Sequence, residues 1–202
     1  DGDGYADFIA GAGGYSTGKA YVFYGAASAN FSSVADAEAT LTGTGSYYAY
    51  YVGGGTDLDG DGYDEFWSHD QNNVNVYTGG STRVTDSSAA SMTFSDSTTS
   101  YSYFHYSGTT AGDFNADGDT DFVVTDYYYG NANYGGVWVF NGPLSAGSYD
   151  VSSADSNLQG TDTYDYWGRS LASGDWDGDG ADDLAVGAPY DEAVYIFNGG
   201  GM

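Results

Sequence analysis

Apolar and polar positions alternate along this chain in short runs, and the runs recur in a fixed order. The clearest are aromatic and β-branched stretches closed by glycine: Ala20-Tyr21-Val22-Phe23-Tyr24-Gly25, Val74-Asn75-Val76-Tyr77-Thr78-Gly79, Val137-Trp138-Val139-Phe140-Asn141-Gly142 and Val194-Tyr195-Ile196-Phe197-Asn198-Gly199. Before each comes a shorter apolar run, beginning at Phe8, Phe66, Phe122 or Leu184. After each of the first three comes a Ser/Ala/Asp-rich connection and a weaker run: Ala39-Thr40-Leu41-Thr42, Ser91-Met92-Thr93-Phe94 or Ser156-Asn157-Leu158-Gln159. A Tyr-rich segment then closes the period: Tyr47 to Tyr51, Tyr101 to Tyr106, or Tyr164 to Gly168. No window sustains a helical period. Four short strands per period, punctuated by Gly, Asn and Asp, predict an all-β fold of four-stranded antiparallel sheets in series, the pattern of propeller blades.

An acidic loop precedes each apolar run. The last is Asp175-Trp176-Asp177-Gly178-Asp179-Gly180-Ala181-Asp182-Asp183. Two more complete copies run from Asp57 to Glu65 and from Asp113 to Asp121, and the chain opens inside a fourth, with Asp1, Asp3 and Asp7 at its third, fifth and ninth positions. Taking position 5 of each loop (Asp3, Asp61, Asp117, Asp179), the spacings are 58, 56 and 62 residues, an internal period that marks a repeat architecture. Oxygen-bearing side chains stand at positions 1, 3, 5 and 9, with Gly at 6. Hard Ca²⁺ takes several oxygens at close range, and a glycine that tolerates positive φ lets alternate side chains converge on one point. Position 7 is placed to add a backbone carbonyl. An EF-hand would need Glu at position 12 and flanking helices; here that position is Ser68, Val124 or Val186, and a β-like run follows at once. The expected ligands are Asp57, Asp59, Asp61 and Glu65; Asp113, Asn115, Asp117 and Asp121; Asp175, Asp177, Asp179 and Asp183; and an incomplete, weakest set of Asp1, Asp3 and Asp7. The alternative is a set of Asp-Gly turns with solvated acidic tips.

The 202 residues carry 29 acids against three basic residues, Lys19, Arg83 and Arg169, a net charge of −26. About half of the acids, 14 of 29, stand at the ligand positions of the loops. Such a surface excludes nucleic-acid binding by phosphate neutralisation and disfavours anionic membranes. There is no cysteine, so neither disulfides nor thiol chemistry are possible and metal is the available staple. Calcium sites of modest affinity fill where calcium is millimolar, which points to an extracellular or cell-surface address. No stretch is long and apolar enough to span a membrane. Because it opens inside a loop, the chain reads as a piece of something longer.

The run Trp167-Gly168-Arg169-Ser170-Leu171, the loop, Gly187-Ala188-Pro189 and Ala193-Val194-Tyr195-Ile196-Phe197 closely resembles the FG-GAP repeat. That repeat builds the β-propeller of integrin α-chains and of many secreted bacterial proteins. The resemblance implies one calcium ion in each loop, between strands 1 and 2 of a blade. The first repeat keeps Gly11-Ala12-Gly13 without Pro, and Ala49-Tyr50 and His105-Tyr106 stand where the last repeat has Trp167-Gly168. On this alignment residues 1–202 form one propeller region of about three and a half blades. The first blade lacks its strand 1, and the last ends after strand 3. Unclosed sheets leave strand edges that seek partners.

Catalytic chemistry is sparse. His69 and His105 occupy non-equivalent positions without patterned partners, and no serine sits in a nucleophile elbow. There is no Walker loop and no dinucleotide fingerprint. The tyrosine clusters, including Tyr127 to Tyr129, suit inter-blade packing, and equally a contact surface or sugar stacking. Asn30-Phe31-Ser32 fits the N-glycosylation pattern. The expectation is a non-catalytic extracellular adhesion or self-assembly module, with the surface-fibre subunit as one form. It would bind a protein partner or copies of itself. The alternatives are a glycan- or protein-binding propeller and the non-catalytic propeller of a secreted hydrolase or lyase.

Overall fold

The alternation becomes a series of strands in four sheets in the computed structural model, which describes residues 1–14, 17–43, 46–98, 103–104, 107–162 and 164–201. The first sheet holds β1 (Phe8–Ala12), β2 (Lys19–Phe23) and β3 (Ala39–Thr42). The second holds β4 (Val52–Thr56), β5 (Glu65–His69), β6 (Asn73–Tyr77) and β7 (Met92–Ser95). The third is β8 (Thr109–Gly112), β9 (Asp121–Asp126), β10 (Gly136–Phe140) and β12 (Ser156–Gln159), and the fourth β13 (Ser170–Gly174), β14 (Asp183–Ala188) and β15 (Ala193–Phe197). Within each of these sets the strands form an antiparallel meander, as expected of propeller blades. Helical segments, among the described residues, are limited to short 3-10 turns and one π turn, Tyr129–Asn133.

Side chains alternate between the two faces of a strand, so each sheet has one face toward the blade before it and one toward the blade after. In the third strand the division is strict. Trp138 and Phe140 of β10 pack back against Val74, Val76 and Phe94 of the second sheet. Val137 and Val139 pack forward against Leu184 and Val186 of the fourth. Ala20 and Val22 of β2 likewise meet Tyr77 and Phe66. Aromatic rings dominate the middle contact: Trp67 lies edge-on to Phe122 at 5.1 Å and Phe94 edge-on to Phe140 at 5.0 Å. Burying side chains of this size stabilises by about 1.5–3 kcal/mol each, so the inter-blade seams are where the fold gains its cohesion.

The structure corrects the sequence reading in three places. First, the described Tyr-rich residues form turns rather than strands; the first strand of each later blade lies just after them, in Val52–Thr56, Thr109–Gly112 and Ser170–Gly174. These strands are rich in small residues because neighbouring backbones crowd there. A Cβ on Gly53 would stand 2.6 Å from the Trp67 ring, and the Thr110 and Ser173 hydroxyls of adjacent blades meet at 2.8 Å.

Second, the counterpart of Trp167-Gly168 in the second repeat is Tyr48-Ala49. A bulge between Gly54 and Thr56 adds one residue to β4 and shifts the alignment. Tyr48 is buried like Trp167, and its carbonyl abuts Gly18 as that of Trp167 abuts Gly135. Ala49 holds the positive φ of Gly168 and donates to the His69 carbonyl as Gly168 donates to that of Gly187. His105, Tyr106 and Tyr101 lie outside the described residues.

Third, the connection after β10 contains an unforeseen strand, β11 (Gly147–Asp150), which pairs in parallel with β7. A segment of the third repeat thus closes the outer edge of the second blade. Tyr149 stacks on Phe94 at 4.8 Å, and Gly147 donates to the Ser91 carbonyl.

Candidate metal sites

All four acidic loops share one hydrogen-bonded scaffold. The side-chain oxygen at position 3 accepts the N–H of position 5, and that at position 5 accepts the N–H of position 7, at 2.9–3.2 Å in every copy. The carboxylate at position 1 gathers N–H groups from the far side of the turn: Gly60 and Gly62 on Asp57, Asp117 and Gly118 on Asp113, and Gly178, Asp179 and Gly180 on Asp175. Closing so tight a curl puts positions 4 and 6 in the left-handed region. Gly serves at both in three loops; in the third, Ala116 takes φ 60° at position 4. The reading from sequence recognised only position 6, although Gly2, Gly60 and Gly178 carried the signal for position 4.

The acid at position 9 has a second role that spacing could not reveal. One of its oxygens accepts the N–H of position 2 and the other the N–H of the glycine that ends strand 3. Glu65 takes Leu58 at 2.6 Å and Gly79 at 3.0 Å, Asp121 takes Phe114 and Gly142, and Asp183 takes Trp176 and Gly199. Asp7 accepts from Gly25 in the same way. Glu65, Asp121 and Asp183 are buried. Each therefore staples its loop to the far end of the following hairpin.

Of the predicted ligands, Asp57, Asp59 and Asp61 bring carboxylate oxygens within 4.8 Å of one another, as do Asp175, Asp177 and Asp183. In the third loop Asn115 stands between Asp113 and Asp117, and its amide donates to Asp117 at 2.9 Å. Asp179 falls outside the fourth-loop trio, and Asn198 donates to Asp177. In the first loop, Asp1 meets the Arg83 guanidinium at 2.6 and 2.7 Å; Arg83 also pairs with Glu38 and lies 4.6 Å over the Tyr24 ring. An arginine from the second repeat thus places a fixed positive charge on the first loop.

The donor set fits a hard divalent cation. It consists of oxygens alone, and carboxylate oxygens engaged by one N–H keep further lone pairs. Electrostatics point the same way. Burial, followed by the neighbouring charges of Asp61 and Asp57, pushes the Asp59 carboxyl up. Burial likewise raises Glu65 and Asp121 against the pull of their N–H donors. At Asp183 the N–H groups of Gly199 and Trp176 prevail and hold it down. A cation among these oxygens would offset the crowding.

His69 serves the architecture. It is buried, its Nδ1 meets the Phe104 carbonyl at 2.8 Å, and its Nε2 meets the Thr109 hydroxyl at 2.7 Å, which ties the second blade to the third. At the strand ends opposite the loops, rings form a chain: Tyr103 to Tyr128 at 4.6 Å, Tyr128 to Tyr166 at 5.2 Å and Tyr166 to Tyr190 at 4.7 Å.

Blade-like sheets in series, with an acidic loop at the head of the hairpin in each, define an acidic-loop type of β-repeat protein, and the comparisons with known proteins agree with that repeat class. A family model described as FG-GAP-like repeat matches residues 57–124, and one described as FG-GAP repeat matches residues 167–197. The chain thus carries FG-GAP-type repeats in these two stretches. It is 39% identical over 88 residues to integrin alpha-5 of Xenopus laevis, covering 44% of this chain and 8% of that protein. It is 38% identical over 94 residues to integrin alpha-PS2 of Drosophila melanogaster, covering 44% of this chain and 7% of that protein. The matched segment is thus under a tenth of each relative's length.

Proposed function

We propose that this chain is a calcium-stabilised, non-catalytic propeller region that serves adhesion outside the cell. The observation that carries the calcium reading is the scaffold repeated in four loops, which holds hard oxygen donors at one spacing each time. Calcium is structural in this reading. It cancels carboxylate repulsion and locks the strand 1–strand 2 hairpin, with the loops from Asp57, Asp113 and Asp175 as full sites. The loop of Asp1, Asp3 and Asp7, already met by Arg83, is the weakest. Similarity to integrin α-chains supports a protein partner and a surface address.

Terbium luminescence and calorimetric titration with calcium test the metal reading, since Trp176 and Tyr63 lie within loops and sensitise bound lanthanide. At calcium a hundredfold above Kd each site adds about 2.7 kcal/mol. Three sites then raise Tm by roughly 16–32 °C for a domain of this size. A melting curve unmoved by EGTA, with metal removal verified, overturns it.

A second reading, glycan binding, is favoured by the ring chain at the opposite strand ends, where Tyr164 and Tyr190 are exposed. Retention on a glycan array, abolished by Tyr190→Ala, would support it; the absence of any retained glycan would count against it.

A further inference from the structure

Outside the first loop, seven bonds of this chain join Asp or Asn to Gly. Five are Asp-Gly bonds within the loops: Asp59-Gly60, Asp61-Gly62, Asp117-Gly118, Asp177-Gly178 and Asp179-Gly180. Two are Asn-Gly bonds at the ends of strand 3, Asn141-Gly142 and Asn198-Gly199. In all seven the glycine N–H is donated to a carboxylate elsewhere in the chain. Asp57 takes Gly60 at 2.8 Å and Gly62 at 2.9 Å, Asp113 takes Gly118 at 3.0 Å, and Asp175 takes Gly178 at 2.7 Å and Gly180 at 3.2 Å. Asp121 takes Gly142 at 2.9 Å and Asp183 takes Gly199 at 3.0 Å, both across a hairpin. The acceptor is always the first or the ninth acid of a loop.

These are the bonds most open to attack by the chain on itself. The glycine nitrogen loses its proton and closes on the side-chain carbonyl carbon of the residue before it, forming a five-membered succinimide. Glycine has no Cβ to obstruct the approach. At Asn the side-chain amide leaves as ammonia, and water then opens the ring to Asp or isoaspartate; at Asp a water leaves and a water returns. Isoaspartate lengthens the backbone by one carbon, which would throw a loop out of register. The nitrogen must first give up its proton, and here a carboxylate holds that proton. Negative charge developing on the nitrogen would also face the fixed charge of the same carboxylate, at close range and, for Asp121 and Asp183, in a buried setting where charges interact strongly. Asn198 is exposed, so access of water does not limit the reaction there.

We propose that Asn141 and Asn198 are deamidation sites held unreactive by Asp121 and Asp183, and that the first and ninth acids of the loops guard the chain chemically as well as holding its shape. A loop that needs glycines at positive φ after its acids is built from vulnerable bonds, and the same fold that demands them supplies the guard.

Peptide mapping by mass spectrometry of the full chain, aged in neutral buffer with EGTA, tests it. EGTA throughout keeps a lost metal ligand out of the comparison, so the outcome does not depend on calcium. Wild type should deamidate at both sites far more slowly than the same chain in urea. Asp121→Asn keeps an acceptor but removes the charge; it should speed deamidation at Asn141 about ten- to hundredfold, the worth of a hydrogen bond to a charged group, and leave Asn198 at the wild-type rate. Asp183→Asn should do the reverse, and it carries the test alone if Asp121→Asn fails to fold. His69→Leu, which loosens the blades without touching either guard, should leave both rates unchanged. Wild-type rates equal to those in urea, no rise at the unguarded site, or an equal rise at both sites in a folded variant overturns the proposal.

Discussion

Asp121 offers the sharpest check on how the loops are held. Its carboxylate is fully buried and takes the Phe114 N–H at 3.0 Å and the Gly142 N–H at 2.9 Å. Asp121→Ala strands both donors, and an unsatisfied buried donor costs about 1–3 kcal/mol. Part of that is returned, because the variant no longer buries a carboxylate whose pKa burial has raised. The net expectation is a loss of about 3 kcal/mol, or a Tm lowered by roughly 6–12 °C. The melt should be run in EGTA, so that the change does not include a lost metal ligand. Asp121→Asn keeps one carbonyl acceptor and should recover about half of the loss. Asp119→Ala, at the exposed tip of the same loop, serves as control and should stay within about 0.5 kcal/mol of wild type. If Asp121→Ala matches that control in EGTA, the staple contributes nothing and the ninth position is a metal ligand alone.

Two further outcomes follow from buried polar groups. Asp126 at the end of β9 accepts the N–H groups of Tyr103 and Tyr128, yet burial pushes its carboxyl up to about 6. Its folded pKa exceeds the unfolded value, so its contribution is fully present below about pH 4 and lost as pH rises through 6, about 3 kcal/mol in total. Chemical denaturation of wild type and Asp126→Asn in EGTA should show their stability gap moving by that amount in favour of wild type from pH 7 to pH 4; a constant gap refutes it. His69→Leu removes both inter-blade bonds of the ring and should cost about 2–4 kcal/mol, read by thermal melts, without changing calcium stoichiometry in the titration.

Local chemistry was legible along the chain. The acidic loops, their period and the second and third strands of each blade follow from side-chain type and near-neighbour spacing. A turn that gathers oxygens at positions 1, 3 and 5 is complete within nine residues, and alternating apolar residues declare a strand without help from elsewhere. What the tertiary structure decided depends on distant contacts. Gly147–Asp150 is too polar to announce a strand; it becomes one because β7 offers an open edge and Phe94 a surface for Tyr149. The Tyr48-Ala49 pair reads one residue out of place until the bulge at Gly54/Thr56 is seen. Strand 1 is small and polar because adjacent blades crowd it, a constraint set by neighbours more than fifty residues away. The second task of the ninth-position acid and the Arg83 charge on the first loop likewise arise only when the blades are stacked, since each is defined by what a neighbouring segment brings.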